Sequence, residues 1–312
     1  MSFRVTQAAL ARAALSNIQR AQGNIASSQE QLATGRRINR LSDAPLDAAQ
    51  AQRLHSYSSK VQQYQRNLER AQSQIEYAAA TTQELSDVFI QAREICLRGA
   101  DSATGPDERR SLAVAVDQLL DTLMRRANAS FNGRYIFAGT ADDAPPFTAE
   151  LDETGNLGAI AYSGDSGRIE LQVGPHARLQ TNEPGSTVFV DPATGETSFD
   201  ALIELRDLLR NPDGRSETET CQALSAHVGQ VAEAHERIVD AASRFGWRSS
   251  QLEFTRTTLD NMMLSDTELL SSLEDADFAT AALQLSTQEA ALEAALAVSA
   301  RILTTSLLEY LR

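Results

Sequence analysis

Histidine and cysteine side chains are the residues of this sequence that would first be expected to bind a metal ion or move a proton. The sequence has four histidines: His55, His176, His227 and His235. His227 and His235 are eight residues apart on one predicted helix and could share a face with Glu236. No His-Glu-x-x-His spacing occurs, and the two cysteines, Cys96 and Cys221, do not form a Cys-x-x-Cys pair. The pattern favours histidines in solvent or at the edge of a helix seam over a metal site.

Acidic side chains and short motifs give no stronger sign of chemistry. Acidic clusters occur at Asp142-Asp143, Asp152-Glu153 and Glu274-Asp275 with Asp277, and none has the spacing of a calcium loop. Neither a glycine-rich phosphate loop nor a nucleophile elbow is found. Asn128-Ala129-Ser130 matches a glycosylation sequon, which is expected by chance in a chain of this length. We predict no catalytic residues, no metal ligands and no cofactor, and therefore a protein that is not an enzyme.

The strongest pattern is a run of 53 residues, 46–98, without glycine or proline. Apolar residues recur in it in alternating steps of three and four: Leu54, Tyr57, Val61, Tyr64, Leu68, Ala71, Ile75, Ala78, Leu85, Phe89, Ala92 and Cys96. Only Thr82 breaks this ladder. A seven-residue repeat of this length predicts a helix that buries one seam against other helices. Cys96 is expected to be a buried thiol in that seam.

The two chain ends are predicted to be helices with poorer seams. Residues 4–34 place Ile18, Ile25 and Leu32 seven apart with small residues between them, and Gly23 weakens the helix further. The final helix, 278–311, is equally rich in alanine. Such helices are marginal alone, because buried alanine contributes far less than a large aliphatic side chain. Residues 35–45 form a connector, in which Ser42 or Asp43 is placed to cap the following helix.

The middle of the chain has a different texture. A cap around Thr104 is predicted to open a helix at Pro106 that folds back antiparallel on the ladder. Residues 130–200 then contain nine of the sixteen glycines and five of the eight prolines. Strands are predicted at 134–140, 169–173 and 187–190. Helices resume at 199–210 and near Glu217, and the acidic run at 274–277 marks a break before the final helix.

These elements predict a mainly α fold, a long antiparallel helical bundle or coiled-coil rod built from both chain ends, with a small inserted β-rich domain. We predict five segments. They are an N-terminal helix and connector at 1–45, the N-terminal part of the rod at 46–132, the β-rich surface domain at 133–200, the C-terminal part of the rod at 201–274 and a C-terminal helix at 275–312.

Composition limits the partners. The net charge is −14 and Lys60 is the only lysine, so the clustered positive charge that a nucleic acid requires is missing. The first residues lack an apolar stretch of signal-peptide length, and no run is long and apolar enough to span a bilayer. These features alone predict a cytoplasmic protein, unless another export route applies.

Several of these segments resemble one protein family. The connector, Gly35-Arg36-Arg37-Ile38-Asn39 followed by Ser42-Asp43-Ala44-Pro45, is similar to the signature of the flagellar hook-associated protein 3 family, which are flagellin-like axial proteins. Further similar segments lie at 64–67, 127–128, 132–140 with 146–147, 246–248, 252–253, 272–278 and 306–312. One difference is Ala44, where the family usually has a second aspartate. The resemblance covers both helical regions in order and leaves only about 141–200 unmatched.

The resemblance implies a structural subunit of the bacterial flagellum at the junction between hook and filament. In this family both termini pair as an inner coiled-coil layer, and the β domain projects outwards. It also implies type III export in an unfolded state, an extracellular location, and as partners other copies of the chain in a ring, flagellin, an adjacent hook-associated protein and an export chaperone. No nucleic acid and no membrane insertion are expected. Two alternatives remain open: a flagellin, and more remotely a cytoplasmic coiled-coil scaffold.

Overall fold

The computed structural model describes residues 2–151, 155, 157–211 and 213–310. The fold is mainly helical, with small β hairpins inserted between the helices, so the predicted fold class is confirmed. Contacts divide the chain into two compact units: residues 1–61 with 260–312, and residues 62–259.

The first unit contains helix α1 (Ser2–Thr34), the start of helix α2 (Pro45–Gly99), the end of helix α6 (Glu217–Glu274) and helix α7 (Phe278–Tyr310). Helices α1 and α7 pack on each other. Gly23 does not interrupt α1, since the helix continues for eleven residues beyond it. Both terminal segments are therefore helical over nearly the lengths that their sequences predict.

In the second unit, α2 and α6 bury side chains at heptad spacing. On α6 these are Leu224, Val231, Ile238, Phe245, Leu252 and Leu259. The thiol of Cys96 donates to the carbonyl oxygen of Leu224 at 3.2 Å, and Ser86 Oγ lies 2.8 Å from His235 Nε2. The contact points advance in opposite directions along the two helices, so the helices are antiparallel. The buried seam is the one that the apolar ladder predicts.

Thr82, which breaks the ladder in sequence, lies fully buried in the seam. Its hydroxyl donates to the carbonyl oxygen of Ala78 at 2.7 Å. This bond satisfies the polar group within its own helix, so that only the methyl side needs to pack. A buried threonine therefore continues the seam without interrupting it.

Helix α3 (Pro106–Ala127) runs antiparallel to α2, as predicted. Arg109 Nε donates to the carbonyl oxygen of Gly99 at 2.9 Å, and Arg126 forms an ion pair with Glu84. The predicted cap is wrong in one detail. Gly105 is the N-cap residue and no side chain caps α3, because the Thr104 hydroxyl instead donates to the Arg98 carbonyl and closes the end of α2.

The inserted region contains three separate antiparallel hairpins. Their strands are β1 (Ser130–Phe131), β2 (Arg134–Tyr135), β3 (Phe147–Leu151), β4 (Leu157–Tyr162), β5 (Glu170–Gln172) and β6 (Arg178–Gln180). The predicted strands at 134–140 and 169–173 correspond to the shorter β2 and β5. The hairpin β3–β4 has no counterpart in the sequence prediction.

The predicted strand at 187–190 is wrong. Residues 187 and 188 instead end a short helix, α4 (Gly185–Val188), and only Val190 forms an isolated β bridge, with Thr197. The Thr187 hydroxyl donates to the Pro184 carbonyl, and the Gly185 N–H donates to the Phe137 carbonyl. This conformation is favoured because it packs the Phe189 ring against the buried rings of Phe137, Phe147 and Phe199.

Helix α5 (Ser198–Arg210) begins with a capping box in which Thr197 and Asp200 each accept a bond from the main chain of the other. Its position agrees with the predicted 199–210. Among the helices that the structure describes, none combines the length and the apolar character needed to cross a bilayer.

Candidate assembly interface

The four histidines have separate surroundings. His227 is buried, with Nε2 2.6 Å from the carbonyl oxygen of Ala201, whereas His235 contacts Ser86. His176 is exposed in the β5–β6 turn, and His55 contacts Glu274. Over the described parts of the chain, no three His, Cys, Asp or Glu side chains come together in a way that could hold a metal ion.

The acidic clusters have structural contacts where they can be described. Asp142 is buried and pairs with Arg134 at 3.1 Å. The pair Asp152-Glu153 lies outside the described residues. The side chain of Asn128 bonds both the N–H and the carbonyl of Phe147, at 3.0 and 2.9 Å, and so fixes the start of β3 against the end of α3.

The third cluster, at 274–277, meets the connector. We define the clasp as residues 35–37 and 274–276, which join the end of α1 to the break before α7. The N–H of Arg37 donates to the carbonyl of Glu274 at 2.6 Å, and the N–H of Ala276 donates to the carbonyl of Gly35 at 2.9 Å. Between them Arg36 and Asp275 form an isolated antiparallel β bridge. The clasp therefore pairs main chain from both ends of the sequence.

Side chains reinforce the clasp from the neighbouring helices. Arg37 donates to the Leu273 carbonyl at 2.7 Å and to the Asp47 carboxylate at 2.9 Å. The carboxylate of Glu274, only 15% exposed, lies 2.8 Å from His55 Nε2 and 3.8 Å from Arg36. The two arginines of the clasp, Arg36 and Arg37, thus bind carboxylates and main chain within the unit. Asp43, expected as a possible helix cap, instead accepts the N–H groups of Asn39 and Arg40 within the connector.

The ends of the clasp are adapted to a sharp change of direction. Gly35 has a positive φ of 71°, which favours glycine, and the ring of Phe278 lies beside its Cα. Asp277 accepts the N–H of Ala279 at 3.0 Å and the hydroxyl of Thr280 at 2.7 Å at the start of α7. The Thr280 and Ala279 hydrogen bonds hold the pKa of the Asp277 carboxyl below its ordinary value.

The seam between α1 and α7 is thin. Ser28 is buried and donates to Gln288 Oε1 at 3.0 Å, and Ala281 is the one buried apolar residue among the α7 side chains that the structure describes. Large apolar side chains on both helices stay exposed: Leu15, Leu283, Leu296 and Val298, with Leu283 70% exposed. A pair of helices that leaves this much apolar surface in water has surface available for further helices.

Both halves of the clasp are recognisable as motifs in the sequence, but nothing in these motifs predicted that they contact each other. Gly35, suited to positive φ, and the Asp-Phe helix start at Asp277 each indicate a local change of direction, but not that the two segments meet. Neither residue encodes its distant partner, because the pairing is made by main-chain groups that every residue carries.

Both helical ends of the chain match known protein families. The family description "Bacterial flagellin N-terminal helical region" matches residues 5–142, and "Bacterial flagellin C-terminal helical region" matches residues 228–311. The chain is 24% identical over 280 residues to flagellar hook-associated protein 3 of Escherichia coli (strain K12), covering 85% of this chain and 86% of that protein.

Two further similarities concern a filament protein and a solved fold. The flagellar filament 30.7 kDa core protein of Treponema maltophilum is 31% identical over 124 residues, covering 39% of this chain and 42% of that protein. The crystal structure of flagellar hook-associated protein 3 from Legionella pneumophila superposes with a TM-score of 0.64 at 16% identity, covering 71% of this chain and 98% of that one. The similarity to this filament protein is therefore partial, whereas the similarity to the Escherichia coli protein, and to the fold of the Legionella pneumophila structure, spans most of both chains.

Proposed function

The chain belongs to the flagellar hook-associated protein 3 family and is a structural protein of the hook–filament junction, and we propose that α1, α7 and the clasp form its binding surface for neighbouring subunits. It is an extracellular axial component of the flagellum and serves motility rather than catalysis. The family implies assembly with other flagellar components. We propose both which components these partners are and which residues bind them.

The domain organisation follows from the sequence segments. Residues 1–45 and 275–312 form the inner coiled-coil layer, residues 46–132 and 201–274 form the helical rod, and residues 133–200 project at the surface. The packing of α1 on α7 and the main-chain pairing in the clasp support the assignment of the two termini to one layer.

The exposed apolar side chains of α1 and α7 are the observation that carries the proposal. Burying a leucine such as Leu283 or Leu296 contributes roughly 1.5–3 kcal/mol, and in the isolated chain this contribution is lost to solvent. Neighbouring copies in a ring, flagellin on one side and a second hook-associated protein on the other would supply the missing surface. An export chaperone would cover the seam of α7 before assembly, and export through the type III channel would precede the pairing of the ends.

The experiment replaces exposed leucines with aspartate. Leu283→Asp and Leu296→Asp each put a charge where a partner helix would pack, while the side chains are already exposed in the isolated chain. We expect normal secretion, an unchanged melting curve and a loss of filament attachment, measured as motility and as unattached flagellin in the medium of cells that lack the native gene.

Leu151→Asp is the matched control, because Leu151 is 66% exposed on β3 in the inserted region. We expect this variant to assemble normally. Filaments that attach normally in both α7 variants would contradict the proposed surface. A loss of attachment in Leu151→Asp as well would show that exposed leucines outside α1 and α7 also contribute.

A further inference from the structure

An open cleft of about 610 Å³ lies in the second unit, between the inserted region and α6. Its walls include the loop before β5, strand β6, the residues around α4, and one face of α6. A volume of this size is within the range of small-molecule sites. Of the eight described residues that line it, all but Pro184 are polar or charged, which distinguishes the cleft from the seam where helices pack.

Among the described residues, the cleft is lined by three guanidinium groups and one carboxylate. Arg248 is 8% exposed, pairs with Glu183 and donates from Nη1 to the Asn182 carbonyl at 3.1 Å. Arg244 Nε is 3.3 Å from the other oxygen of Glu183, yet it is buried without a hydrogen bond. The one carboxylate is therefore shared between two arginines and neutralises only one positive charge.

Arg168 is the third cation, and it differs from the other two. It is exposed at the mouth of the cleft, and it has no hydrogen bond or ion pair with any residue that the structure describes. The cleft therefore holds three positive charges against one negative charge, in a chain whose net charge is −14. Concentrated positive charge in a concave site raises the local concentration of anions.

Neutral polar groups accompany the arginines. The hydroxyl of Ser166 has no described partner. Gln180 Nε2 donates to the Asn182 carbonyl at 2.6 Å, so the amide oxygen of Gln180 stays available as an acceptor. These groups match hydroxyl groups, while a guanidinium matches the paired oxygens of a carboxylate or a phosphate.

We propose that this cleft binds a small hydroxylated oxyanion, a sugar acid or a sugar phosphate, with its anionic group between Arg168 and Arg244 and its hydroxyl groups toward Ser166 and Gln180. Arg248 is held by its ion pair with Glu183 and forms part of the cleft wall that α6 contributes. The proposal does not depend on the role of the terminal helices, because all of its residues lie within 62–259.

The test uses the full chain at constant ionic strength and three probes: gluconate, glucose 6-phosphate and uncharged glucose. Trp247 is the only tryptophan, is 66% exposed and lies one helical turn from Arg244, so its fluorescence reports on the arginine face of α6. We expect a saturable change with at least one anion and none with glucose, and calorimetry should give the same midpoint. Gluconate alone would identify a carboxylate site, and glucose 6-phosphate alone a phosphate site.

Variants then locate the binding. Arg168→Ala and Arg244→Ala should each weaken binding of the anion about tenfold, since each removes a charge-assisted hydrogen bond. Arg168 has no hydrogen bond or ion pair with any described residue, so its replacement is not expected to disturb folding. Arg178→Ala is the control, because Arg178 is exposed on β6 and pairs with Glu170 at 3.9 Å. The proposal is overturned if neither anion gives a saturable change, or if Arg178→Ala weakens binding as much as Arg168→Ala.

Discussion

The main-chain N–H of Ala276 donates a hydrogen bond to the carbonyl oxygen of Gly35, 2.9 Å away. This bond joins the residue that follows α1 to a residue just before α7, so the main chain next to the two terminal helices is paired in an antiparallel bridge. The exposed apolar faces of α1 and α7 start from this point. Their direction relative to each other is therefore tied to the conformation of Gly35.

Replacing Gly35 with alanine tests that dependence. Gly35 has a φ of 71°, and a left-handed conformation costs a residue with a Cβ about 1 kcal/mol or more. The added Cβ would lie 3.5 Å from the Phe278 ring, an ordinary contact, so backbone strain sets the effect. We expect Gly35→Ala to lower the protection of α1 amides in hydrogen exchange.

Gly23→Ala is the matched variant with the opposite sign. Gly23 lies inside α1 and nothing is within 4 Å of the added Cβ. Alanine should therefore stabilise α1 by about 0.5–1 kcal/mol and raise the protection of its amides. Equal effects of the two replacements would argue against strain at the clasp.

Leu68→Asp tests the seam between α2 and α6. Leu68 is 2% exposed, and aspartate there would leave a cavity and an unpaired charge. We expect the free energy of unfolding to fall by more than about 3 kcal/mol. Ile90→Asp, at a side chain 51% exposed on the same helix, should unfold as the native chain does. A normal melting curve for Leu68→Asp would contradict the buried ladder.

His235 gives a pH dependence whose sign can be derived. Burial lowers its pKa, and the charge of Arg93 lowers it further. The unfolded chain, with a histidine pKa near 6.5, therefore binds the proton more readily than the folded chain. Neutral His235 therefore stabilises the folded chain fully above about pH 6.5, and this stabilisation is lost as the pH falls through the lowered pKa.

His235→Gln removes this titration and keeps a group that can bond Ser86. We expect the melting temperature of the native chain to fall more steeply than that of the variant as the pH drops below about 6.5. His176→Gln, at an exposed histidine, should leave the pH profile of the native chain unchanged. Parallel profiles for the native chain and His235→Gln would show that His235 does not contribute.

The two cysteines should react differently with a thiol reagent. Burial raises the pKa of Cys96 to about 12, and its Sγ is held at the Leu224 carbonyl, whereas Cys221 is only partly buried. Since the thiolate is the reactive form, native protein should be labelled at Cys221 alone. Denatured protein should be labelled at both. Rapid labelling of native Cys221→Ala would show that Cys96 is accessible.

The seam was predictable because its information is local. Heptad spacing in 46–98 places Leu68, Ile75 and Phe89 on one side of a helix whatever lies opposite, and these residues are buried. How the seam accommodates a polar residue was harder to predict from the sequence. Thr82 was predicted as a break, and only the back-bond to Ala78 shows how it is accommodated.

The inserted region was predictable in composition but not in detail. Its glycines and prolines indicate turns, yet Thr187 and Val188 have strand propensity and belong to a short helix. The ring cluster around Phe189 decides the backbone there, because burying four aromatic rings outweighs the weak strand preference of a four-residue segment.

The amino-acid sequence by itself determined the helical architecture, the thin apolar faces of both ends and the resemblance to flagellar axial proteins, since all three are carried by residue type and spacing along the chain. Tertiary structure alone decided which distant groups meet. The clasp between Gly35 and Ala276 is built from main-chain groups that carry no sequence signal. The cleft beside α6 is lined by Arg168 and Arg244, which are far apart in the sequence. Local pattern fixes what each segment can bury, and only the folded chain fixes what each segment is buried against.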